Sequence, residues 1–351
     1  MIFLLYPFEL LYRLGFFIIS LYKKIKSNKE TFSFKITSVG NLSVGGTGKS
    51  VVVPFLVRIL GVQESAIVLR GYKGSIEKMG RSTMVSDGSS VFISRGESGD
   101  EAMMYCQELS IPVVVGTNRY MSCRLLESWM QHENKKIKYV VLDDAYQNYS
   151  VKKDCEILLL DARAPFDNGH CLPAGRLREK DYARADFIIL THADMIREQE
   201  RLNIKEKILT DFDGDRIFMG AHVPSGIFFH NKTEVGRSDY SNKKFLVAAG
   251  VGSFSGVCNT ARQAGVVIGA TQEYKDHHHY KPQDIDNLIS VMKTKKCDAI
   301  LTTAKDWVKL ETLMNGRSDI QLLPIYVLRV AFEFLSQYEH DKFLKIFQSM
   351  F

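Results

Sequence analysis

The sequence has no pair of cysteines at the spacing that metal-binding and redox motifs require. Its six cysteines are scattered, and no two of them form a C-x-x-C motif, so a zinc ribbon and a thioredoxin-type active site are excluded. The sequence also shows no internal repeats and no low-complexity segments. Scattered cysteines in a long chain are typical of a reducing compartment, and we therefore expect a cytoplasmic protein.

A strong excess of charge of one sign is also missing. Lys and Arg number 46 and Asp and Glu number 40, which leaves a net charge of +6. This excess is too small for a nucleic-acid-binding protein, whose basic residues cluster on one face, so we expect no nucleic-acid partner. It does suit a phosphate ligand or an acidic membrane surface. With 351 residues, 45% of them hydrophobic, the chain is long and apolar enough for about two domains.

A long uninterrupted hydrophobic run is missing even from the apolar amino terminus. Residues 1–22 are mostly apolar, but Glu9 and Arg13 interrupt them, and four lysines follow within the next seven residues. A signal peptide would carry its basic residues first. At about 100° per residue, one narrow helical stripe carries the polar side chains of Glu9, Arg13, Ser20 and Lys24. We therefore predict an amphipathic helix lying in a membrane interface, with burial against the core and a membrane span as alternatives.

Short β-branched runs alternate with helix-compatible stretches between residues 34 and 210. Several runs are apolar almost throughout, as expected of parallel strands covered on both faces, so we predict a doubly wound parallel α/β sheet. The predicted strands are Phe34–Val39, Ser65–Leu69, Ile111–Val115, Lys138–Leu142, Glu156–Leu160 and Phe187–Leu190. A shorter α/β set near Lys244 predicts a second, smaller lobe, and β-like stretches at Arg216–Val223 and Leu322–Ala331 predict a hinge.

A glycine-rich segment, GNLSVGGTGKS, follows the first predicted strand. It matches the P-loop pattern G-x-x-x-x-G-K-[ST] except that Ser43 occupies the first glycine position. Glycines let backbone N–H groups point at phosphate oxygens, while Lys49 reaches the phosphates and the Ser50 hydroxyl can bind Mg²⁺. The alternative is a glycine-rich turn with a surface lysine. The predicted nucleotide-binding residues are Ser43, Val44, Gly45, Gly46, Thr47, Gly48, Lys49 and Ser50.

Two adjacent carboxylates follow another predicted strand. The run Lys138–Leu142 leads into Asp143 and Asp144, which predicts a magnesium ligand of the Walker B type at the strand's carboxyl end. A turn or a helix cap is the alternative. Beside a P-loop, the pair indicates a nucleoside triphosphate bound with Mg²⁺. The nearest string to the guanine-reading N/T-K-x-D motif, Thr303–Asp306, is one residue too long and lies in the second lobe, so ATP is favoured over GTP.

Eight motifs together resemble those of tetraacyldisaccharide 4′-kinase, the membrane-bound lipid A kinase of Gram-negative bacteria, in the same order and over essentially the whole chain. They are Gly40–Ser50, Arg70–Tyr72, Gly99–Ala102, Pro112–Val115 with Asn118-Arg119, Asp143–Gln147, Leu172–Glu179, Asp276-His277 and Thr303–Asp306. The resemblance implies transfer of the ATP γ-phosphoryl group to the 4′-hydroxyl of a tetraacylated glucosamine disaccharide 1-phosphate, giving lipid IVA. It also implies a peripheral or monotopic enzyme, expected to be a monomer, at the cytoplasmic face of the inner membrane.

The resemblance assigns roles to individual residues. Asp100 matches the catalytic base, and His277 matches its histidine partner in the second lobe, so the lobes would close over the substrate. Arg178 would neutralise the transferred phosphoryl group, and Glu101 would support the magnesium site formed by Ser50, Asp143 and Asp144. The implied substrate contacts are Arg70, Tyr72, Arg119, Gln147, Asn148 and Glu179.

Each of these roles has a simpler alternative. Asp100 could be a solvated loop acid, and each arginine could form a structural ion pair. The three histidines at 277–279 could bind a metal, but adjacent residues rarely all face one ion, and no cysteine or carboxylate cluster completes a zinc site.

Three positions depart from the family pattern. Ala145 replaces a glycine, so the backbone there must accept a Cβ atom. Asn148 replaces a histidine that the family associates with the substrate; asparagine can hydrogen-bond but cannot relay a proton. Ala102 stands where the family often has proline, which is a minor change.

These observations predict a membrane-associated helix over residues 1–28, a P-loop kinase core over 29–222, a smaller lobe with hinge strands over 223–330, and a carboxyl-terminal helix over 331–351 that packs back on the core. The main alternative function is a membrane-tethered P-loop NTPase switch without lipid kinase activity. It would need a guanine motif or a second signature lysine in the loop. A third alternative, a binding module with a degenerate loop, is disfavoured by the intact Lys49, Ser50 and Asp144.

Overall fold

The chain folds into two compact units in the computed structural model. The described residues are 2–26, 30–276, 278–314 and 323–351. Unit 1 contains the chain up to Ala221 together with Phe332–Phe351, and unit 2 contains His222–Ala331. Unit 1 is therefore discontinuous in sequence, because unit 2 is inserted between its sheet and its last helix.

The described strands of unit 1 form one largely parallel sheet. In chain order they are β1 (Lys35–Asn41), β2 (Ser65–Leu69), β3 (Ser82–Asp87), β4 (Pro112–Gly116), β5 (Tyr139–Asp143), β6 (Cys155–Asp161), β7 (Phe187–Thr191) and β8 (Ile217–Phe229). Their order across the sheet is β3-β4-β2-β5-β1-β6-β7-β8, and only β3 and β4 pair antiparallel. Strands β2, β4 and β7 are buried along their whole length, which explains their unbroken apolar sequences. The predicted doubly wound parallel sheet is confirmed.

The helices of unit 1 lie between its strands along the chain, except for one that precedes the first strand and one that follows unit 2. They are α1 (Tyr6–Ile25), α2 (Lys49–Leu60), α3 (Ser75–Met79), α4 (Arg95–Ser98), α5 (Asp100–Leu109), α6 (Arg119–His132), α7 (Glu198–Leu209) and, after unit 2, a carboxyl-terminal helix over Gln337–Gln348. One core cluster joins Leu126 of α6 to Ile36, Val68 and Leu142 of three adjacent strands. This packing fixes the strand ends at which the polar motifs lie.

The carboxyl-terminal helix completes the core of unit 1. Its Phe343 ring lies 5.2 Å from the rings of both Phe187 and Phe218, and Phe347 lies 6.0 Å from Phe187. Phe343 and Phe347 are almost fully buried. The last residues of the chain therefore cover part of the sheet formed by much earlier strands.

Unit 2 is a smaller α/β unit. Its further elements are β9 (Thr233–Glu234), α8 (Arg237–Tyr240), β10 (Lys244–Ala249), α9 (Phe254–Gln263), β11 (Val267–Glu273), α10 (Pro282–Thr294), β12 (Ala299–Thr303), α11 (Ala304–Met314) and β13 (Ile325–Phe334); the helix over Gln337–Gln348 is α12. Strands β11, β10, β12 and β13 are parallel neighbours in that order. The boundaries between the units fall inside β8 and β13. Both boundaries are close to the two stretches predicted as a hinge. Leu322, the first residue of the second stretch, lies outside the described residues.

Two of the described strands, β3 and the short β9, were not predicted. Strand β3 pairs antiparallel with β4 at the edge of the sheet, and its sequence, STMVSD, has three polar residues among the first five. An edge strand is covered on fewer sides than a central one, so its sequence carries a weaker apolar signal.

Helix α1 places its apolar residues outward. Of its side chains, Glu9 is buried, whereas Phe8, Leu11 and Phe17 are each more than half exposed. A polar edge thus faces the protein and an apolar surface faces outward, which is the reverse of a helix in a soluble core. No helix in the described part of the chain is long and apolar enough to cross a membrane.

Candidate active site

The glycine-rich segment connects strand β1 to helix α2, as in a P-loop. Gly48, the residue before the helix, has a left-handed backbone (φ 83°), a conformation that glycine adopts without steric cost. Lys49 is then the first helical residue, and its Nζ atom lies 3.1 Å from Asn41 Oδ1 at the end of β1. The amino end of α2 directs its unpaired backbone N–H groups toward the loop, so the segment can bind an anion.

A second loop, residues 170–178, lies directly on the P-loop; we call it the covering loop. Val44 N donates to Arg176 O at 2.8 Å and Arg178 N donates to Leu42 O at 2.7 Å. The Arg176 guanidinium also donates to Val44 O at 2.8 Å. At Gly45 the backbone has φ +134°, a conformation that strains any residue with a side chain, so glycine is favoured beneath this loop.

The predicted carboxylate pair lies beside the P-loop, because β5 and β1 are adjacent strands. Lys49 Nζ is 3.3 Å from Asp144 Oδ1. Asp144 has a left-handed backbone (φ 49°), which turns the chain away from the strand end. Asp143 is buried, with its Oδ2 accepting from the Tyr105 hydroxyl at 2.9 Å.

The two carboxylates have opposite pKa shifts. Burial, and then the negative charge of Glu101, raise the pKa of Asp143 to about 7. Burial would also raise the pKa of Asp144, but the positive charges of Lys49 and Arg178 outweigh it and lower the pKa to about 2. Asp144 is therefore ionised at neutral pH, while about half of the Asp143 carboxyl groups carry a proton.

Arg178 links the covering loop to the carboxylates. Its Nη1 atom lies 3.2 Å from Asp144 Oδ1 and 3.3 Å from Gln147 Oε1. Gln147 in turn donates from Nε2 to Asn41 O at 2.8 Å. The predicted residues Lys49, Asp144, Arg178 and Gln147 thus form one connected polar network around the P-loop.

Asp100 is the first residue of helix α5. Its Oδ1 atom accepts from Arg95 Nη1 at 2.8 Å, and the side chain is mostly buried. The preceding Gly99 touches the loop after β2, since a Cβ atom there would lie 2.7 Å from Tyr72 O. Glu101 follows Asp100 and acts electrostatically on Asp143, so the Gly99–Ala102 motif lies at the same edge of the sheet as the carboxylate pair.

The residues predicted to contact the substrate fall into two groups. Arg70 and Tyr72 are largely exposed, although Arg70 Nε also forms an ion pair with Glu77 at 2.7 Å. Arg119 is only 2% exposed. Its guanidinium donates to Gly116 O at 2.5 Å and to Asp143 O at 3.0 Å, and burial lowers its pKa to about 10.

Glu179 and Asn148 also bind within the protein. Arg184 donates to both Glu179 carboxylate oxygens, at 2.6 Å and 2.8 Å, and its guanidinium lies 3.7 Å above the Tyr146 ring. Asn148 Oδ1 accepts from the backbone and the hydroxyl of Ser150. Arg119, Glu179 and Asn148 thus hydrogen-bond to other residues of the protein, and their contact with the substrate stays a prediction.

Ala145 fits without strain. It is fully buried in the core cluster beneath α6, and its N–H donates to Val39 O at 3.1 Å. The residue with left-handed backbone in this turn is Asp144, so the Cβ atom of Ala145 is accommodated.

Two predicted features need separate comment. His277 lies outside the described residues, so its pairing with Asp100 stays a prediction. Among the described residues, no three His, Cys, Asp or Glu side chains are grouped so as to hold a metal ion by themselves. A Mg²⁺ ion does not need such a group, because it usually takes one or two carboxylates and completes its shell with phosphate oxygens and water.

Sequence reasoning missed several members of the site. Asn41, which contacts Lys49, stands inside the glycine-rich motif and could have been singled out as a polar residue at a strand end. Tyr105 and Arg95, which bind Asp143 and Asp100, have no such signal, because only the packing of α4 and α5 brings them there.

The sequence model of one protein family, described as LpxK, tetraacyldisaccharide-1-P 4′-kinase, matches residues 1–348. The chain belongs to this family. A tetraacyldisaccharide 4′-kinase of Desulfatibacillum aliphaticivorans is 32% identical over 324 residues, which cover 88% of this chain and 82% of the relative. The enzyme of the same name from Geobacter metallireducens is 32% identical over 288 residues, or 80% of each chain.

A crystal structure of LpxK from Aquifex aeolicus, described as an apo form in complex with ATP, shares the fold. The TM-score is 0.73 at 24% identity, over 99% of this chain and 98% of the other. At this identity the likeness supports the fold alone. With the family match, the resemblance stated from the eight motifs is confirmed, and so is the predicted enzyme class, a kinase of lipid A biosynthesis.

Proposed function

We propose that this protein transfers the γ-phosphoryl group of ATP to the 4′-hydroxyl of a tetraacylated glucosamine disaccharide 1-phosphate, giving lipid IVA. The observation that carries the proposal is the contact between Lys49 of the P-loop and Asp144, 3.3 Å apart, in a chain whose family is defined by this reaction. Lys49 offsets the negative charge of Asp144, and the phosphates of ATP compete with Asp144 for the lysine.

Mg²⁺ fits the residues present. Asp143 Oδ1 is a buried oxygen without a hydrogen-bond partner among the described residues, and Asp144 carries a full charge. Oxygen ligands of this kind suit Mg²⁺. Asp143, Asp144 and Ser50, the second residue of α2, would hold it, with Glu101 close by. When bound, the ion neutralises charge on the β- and γ-phosphates.

Asp100 is the proton acceptor in this proposal. Its carboxylate stands at the amino end of α5, where the helix dipole favours negative charge, and Arg95 fixes its orientation. A carboxylate is far less basic than an alkoxide, so it accepts the hydroxyl proton as that proton leaves in the transition state.

Arg178 changes partner in this proposal. Its guanidinium contacts Asp144 and Gln147. Arginine binds phosphate oxygens with a planar fork of donors, and the negative charge of a bound nucleotide competes with Asp144 for it. Arg178 then stabilises the transferring phosphoryl group, as arginines do in other NTPases.

We also propose that α1 attaches the enzyme to the cytoplasmic face of the inner membrane. Its outward surface is mostly apolar from Phe8 to Ile25, with Arg13 also exposed. Lysines lie in its last turn, which suits an interface with anionic headgroups. The exposed Arg70 and Tyr72 are the candidates for contact with the lipid headgroup.

The test uses the purified full chain, labelled ATP and detergent-dispersed disaccharide 1-phosphate lipid. Label on the lipid, dependent on Mg²⁺ and lost in Lys49→Ala, is the expected result. Release of free phosphate without labelled lipid would instead support an NTPase switch.

A further inference from the structure

Helix α1 carries one buried carboxylate, Glu9, that faces the covering loop. The Glu9 side chain is only 8% exposed. Oε1 accepts from Cys171 N at 2.9 Å, and Oε2 lies 2.8 Å from His170 Nδ1. Burial would raise the pKa of Glu9, but the Cys171 N–H and His170 hold it below the usual range, so the contact is made by a carboxylate.

Two further contacts join the same face of α1 to the same loop. The Tyr12 hydroxyl donates to Arg178 O at 3.1 Å, and the Tyr6 ring stacks on His170 at 4.8 Å. Glu9 and Tyr12 are three residues apart and lie on one side of the helix. The helix is therefore fixed at both ends of the covering loop, at residues 170–171 and at Arg178.

The covering loop is in turn fixed to the nucleotide site. Its backbone is paired with the P-loop at Leu42, Ser43 and Val44, and the side chain of Arg178 contacts Asp144. A short series of contacts therefore connects Glu9 to the predicted phosphate site. Glu9 accepts a hydrogen bond from Cys171, the covering loop is hydrogen-bonded to the P-loop at Val44, and Arg178 forms an ion pair with Asp144.

We infer that docking of α1 on a membrane tightens the nucleotide site, with Glu9 and Tyr12 as the positioning residues that couple the two through the covering loop. This inference rests on the proposed membrane attachment of α1 and on ATP as ligand. The apolar outer surface binds lipid while the polar inner edge orders the covering loop, so lipid and nucleotide each favour the same ordered arrangement.

Coupling of this kind is reciprocal, and reciprocity gives the test. The full chain is titrated with Mg²⁺ and ATP, with and without vesicles of phosphatidylethanolamine and phosphatidylglycerol that contain no disaccharide lipid. We expect vesicles to lower the Kd for ATP by about fivefold, the lower end of usual coupling factors, and ATP to strengthen vesicle binding by the same factor.

Three variants distinguish the coupling between the two sites from the attachment of α1 to the membrane. In Glu9→Ala we expect both bindings to persist but the coupling factor to fall to about one. Tyr12→Phe removes a single hydrogen bond and should reduce the factor only partly. The matched control is Asp167→Asn, an acid-to-amide change at an exposed residue just before the covering loop, which should keep the full factor.

Three outcomes would overturn the inference: no effect of vesicles on the Kd for ATP in the wild type, an unchanged factor in both Glu9→Ala and Tyr12→Phe, or loss of the factor in Asp167→Asn. If Glu9→Ala fails to fold, Tyr12→Phe alone decides. Because these are binding measurements, they can fail while lipid phosphorylation succeeds, so failure of the coupling and failure of the proposed kinase function remain distinguishable.

Discussion

At the scale of single residues, the site is organised by the pairing of Lys49 with Asp144. The lysine has two oxygen partners, Asn41 Oδ1 and Asp144 Oδ1. Neither contact is fully buried, so the lysine is held in place without a large desolvation cost. The network is thus arranged for a ligand that brings its own negative charge.

Lys49→Ala is expected to lower kcat by about 10²–10³-fold, the usual effect of removing one preorganised donor to transition-state charge. The fold should persist, because Lys49 lies at the site and not in the core. Lipid phosphorylation measures the first effect and thermal unfolding the second. A folded variant with near wild-type activity would refute the P-loop assignment.

The raised pKa of Asp143 predicts a pH dependence of nucleotide binding. Mg²⁺ requires the ionised carboxylate, so below pH 7 its binding must displace a proton. We expect the affinity for Mg²⁺ with ATP to fall by up to about tenfold per pH unit below pH 7 and to level off above it. Calorimetry over this range measures the effect.

Glu101→Gln serves as the control for that measurement. It removes a negative charge that raises the pKa of Asp143, so the fall should move to lower pH. Protonation of the nucleotide itself is unaffected by this variant. An identical pH profile in the wild type and Glu101→Gln would assign the titration to ATP and not to Asp143.

Asp100→Asn should lower kcat by about 10²–10⁴-fold, the range for general acid–base catalysis, with little change in the KM for ATP. Arg95→Gln should lower kcat less, because it only loosens the orientation of Asp100. The double variant should be no worse than Asp100→Asn alone, since Arg95 acts through Asp100. Losses that multiply would show that Arg95 has its own role.

At the scale of elements, the chemistry lies where strands end. β1, β5 and the segments before α2 and α5 bring Lys49, Asp143, Asp144 and Asp100 to one edge of the sheet. Parallel strands make this possible, because their carboxyl ends all face the same side. The covering loop adds Arg178 from a segment without regular structure, held in register by its pairing with the P-loop.

Glu179, the residue after the covering loop, predicts a stability effect. It is nearly buried and doubly bonded to Arg184, and removal of one partner from such a pair leaves an uncompensated charge. Glu179→Gln should lower the free energy of unfolding by about 3 kcal/mol. Denaturant unfolding measures it. If Glu179→Gln changed only the KM for the lipid and not the stability, the predicted contact between Glu179 and the substrate would be supported instead.

The elements show what sequence can and cannot predict. The central strands, the P-loop and the Asp143-Asp144 pair are predictable because an apolar run followed by a polar motif is a local signal. β3 escaped prediction because an edge strand carries polar residues. The burial of Arg119 and Glu179 was not predicted either, because the sequence around a charged residue does not show whether its side chain is exposed or buried. The functional boundaries of the lobes and the role of His277 stay predictions.

At the scale of the whole molecule, α1 has one edge against unit 1 and exposes apolar side chains on its other side. Its buried edge binds unit 1 through Glu9 and Tyr12, while its outer face remains apolar. An apolar patch of this length on a soluble protein usually marks an interaction site.

Deleting residues 1–26 should move the protein from the membrane fraction toward the soluble fraction, because the apolar face and the lysines supply much of the attachment. Fractionation of cells that express each form measures this shift. A truncated protein that stays fully membrane-bound would show that another surface dominates the attachment.

The position of α12 has a consequence for biosynthesis. Phe343 and Phe347 cover Phe187 and Phe218, yet all of unit 2 is translated between these partners. On the ribosome, unit 2 can finish folding while the sheet of unit 1 still exposes aromatic side chains, and α1, made first, is already free to meet the membrane. Nascent chains thus pass through an aggregation-prone intermediate, which persists for the time needed to translate unit 2. A ribosomal pause within residues 222–331 should therefore increase aggregation, whereas the same pause within α1, before any strand of the sheet has been made, should not.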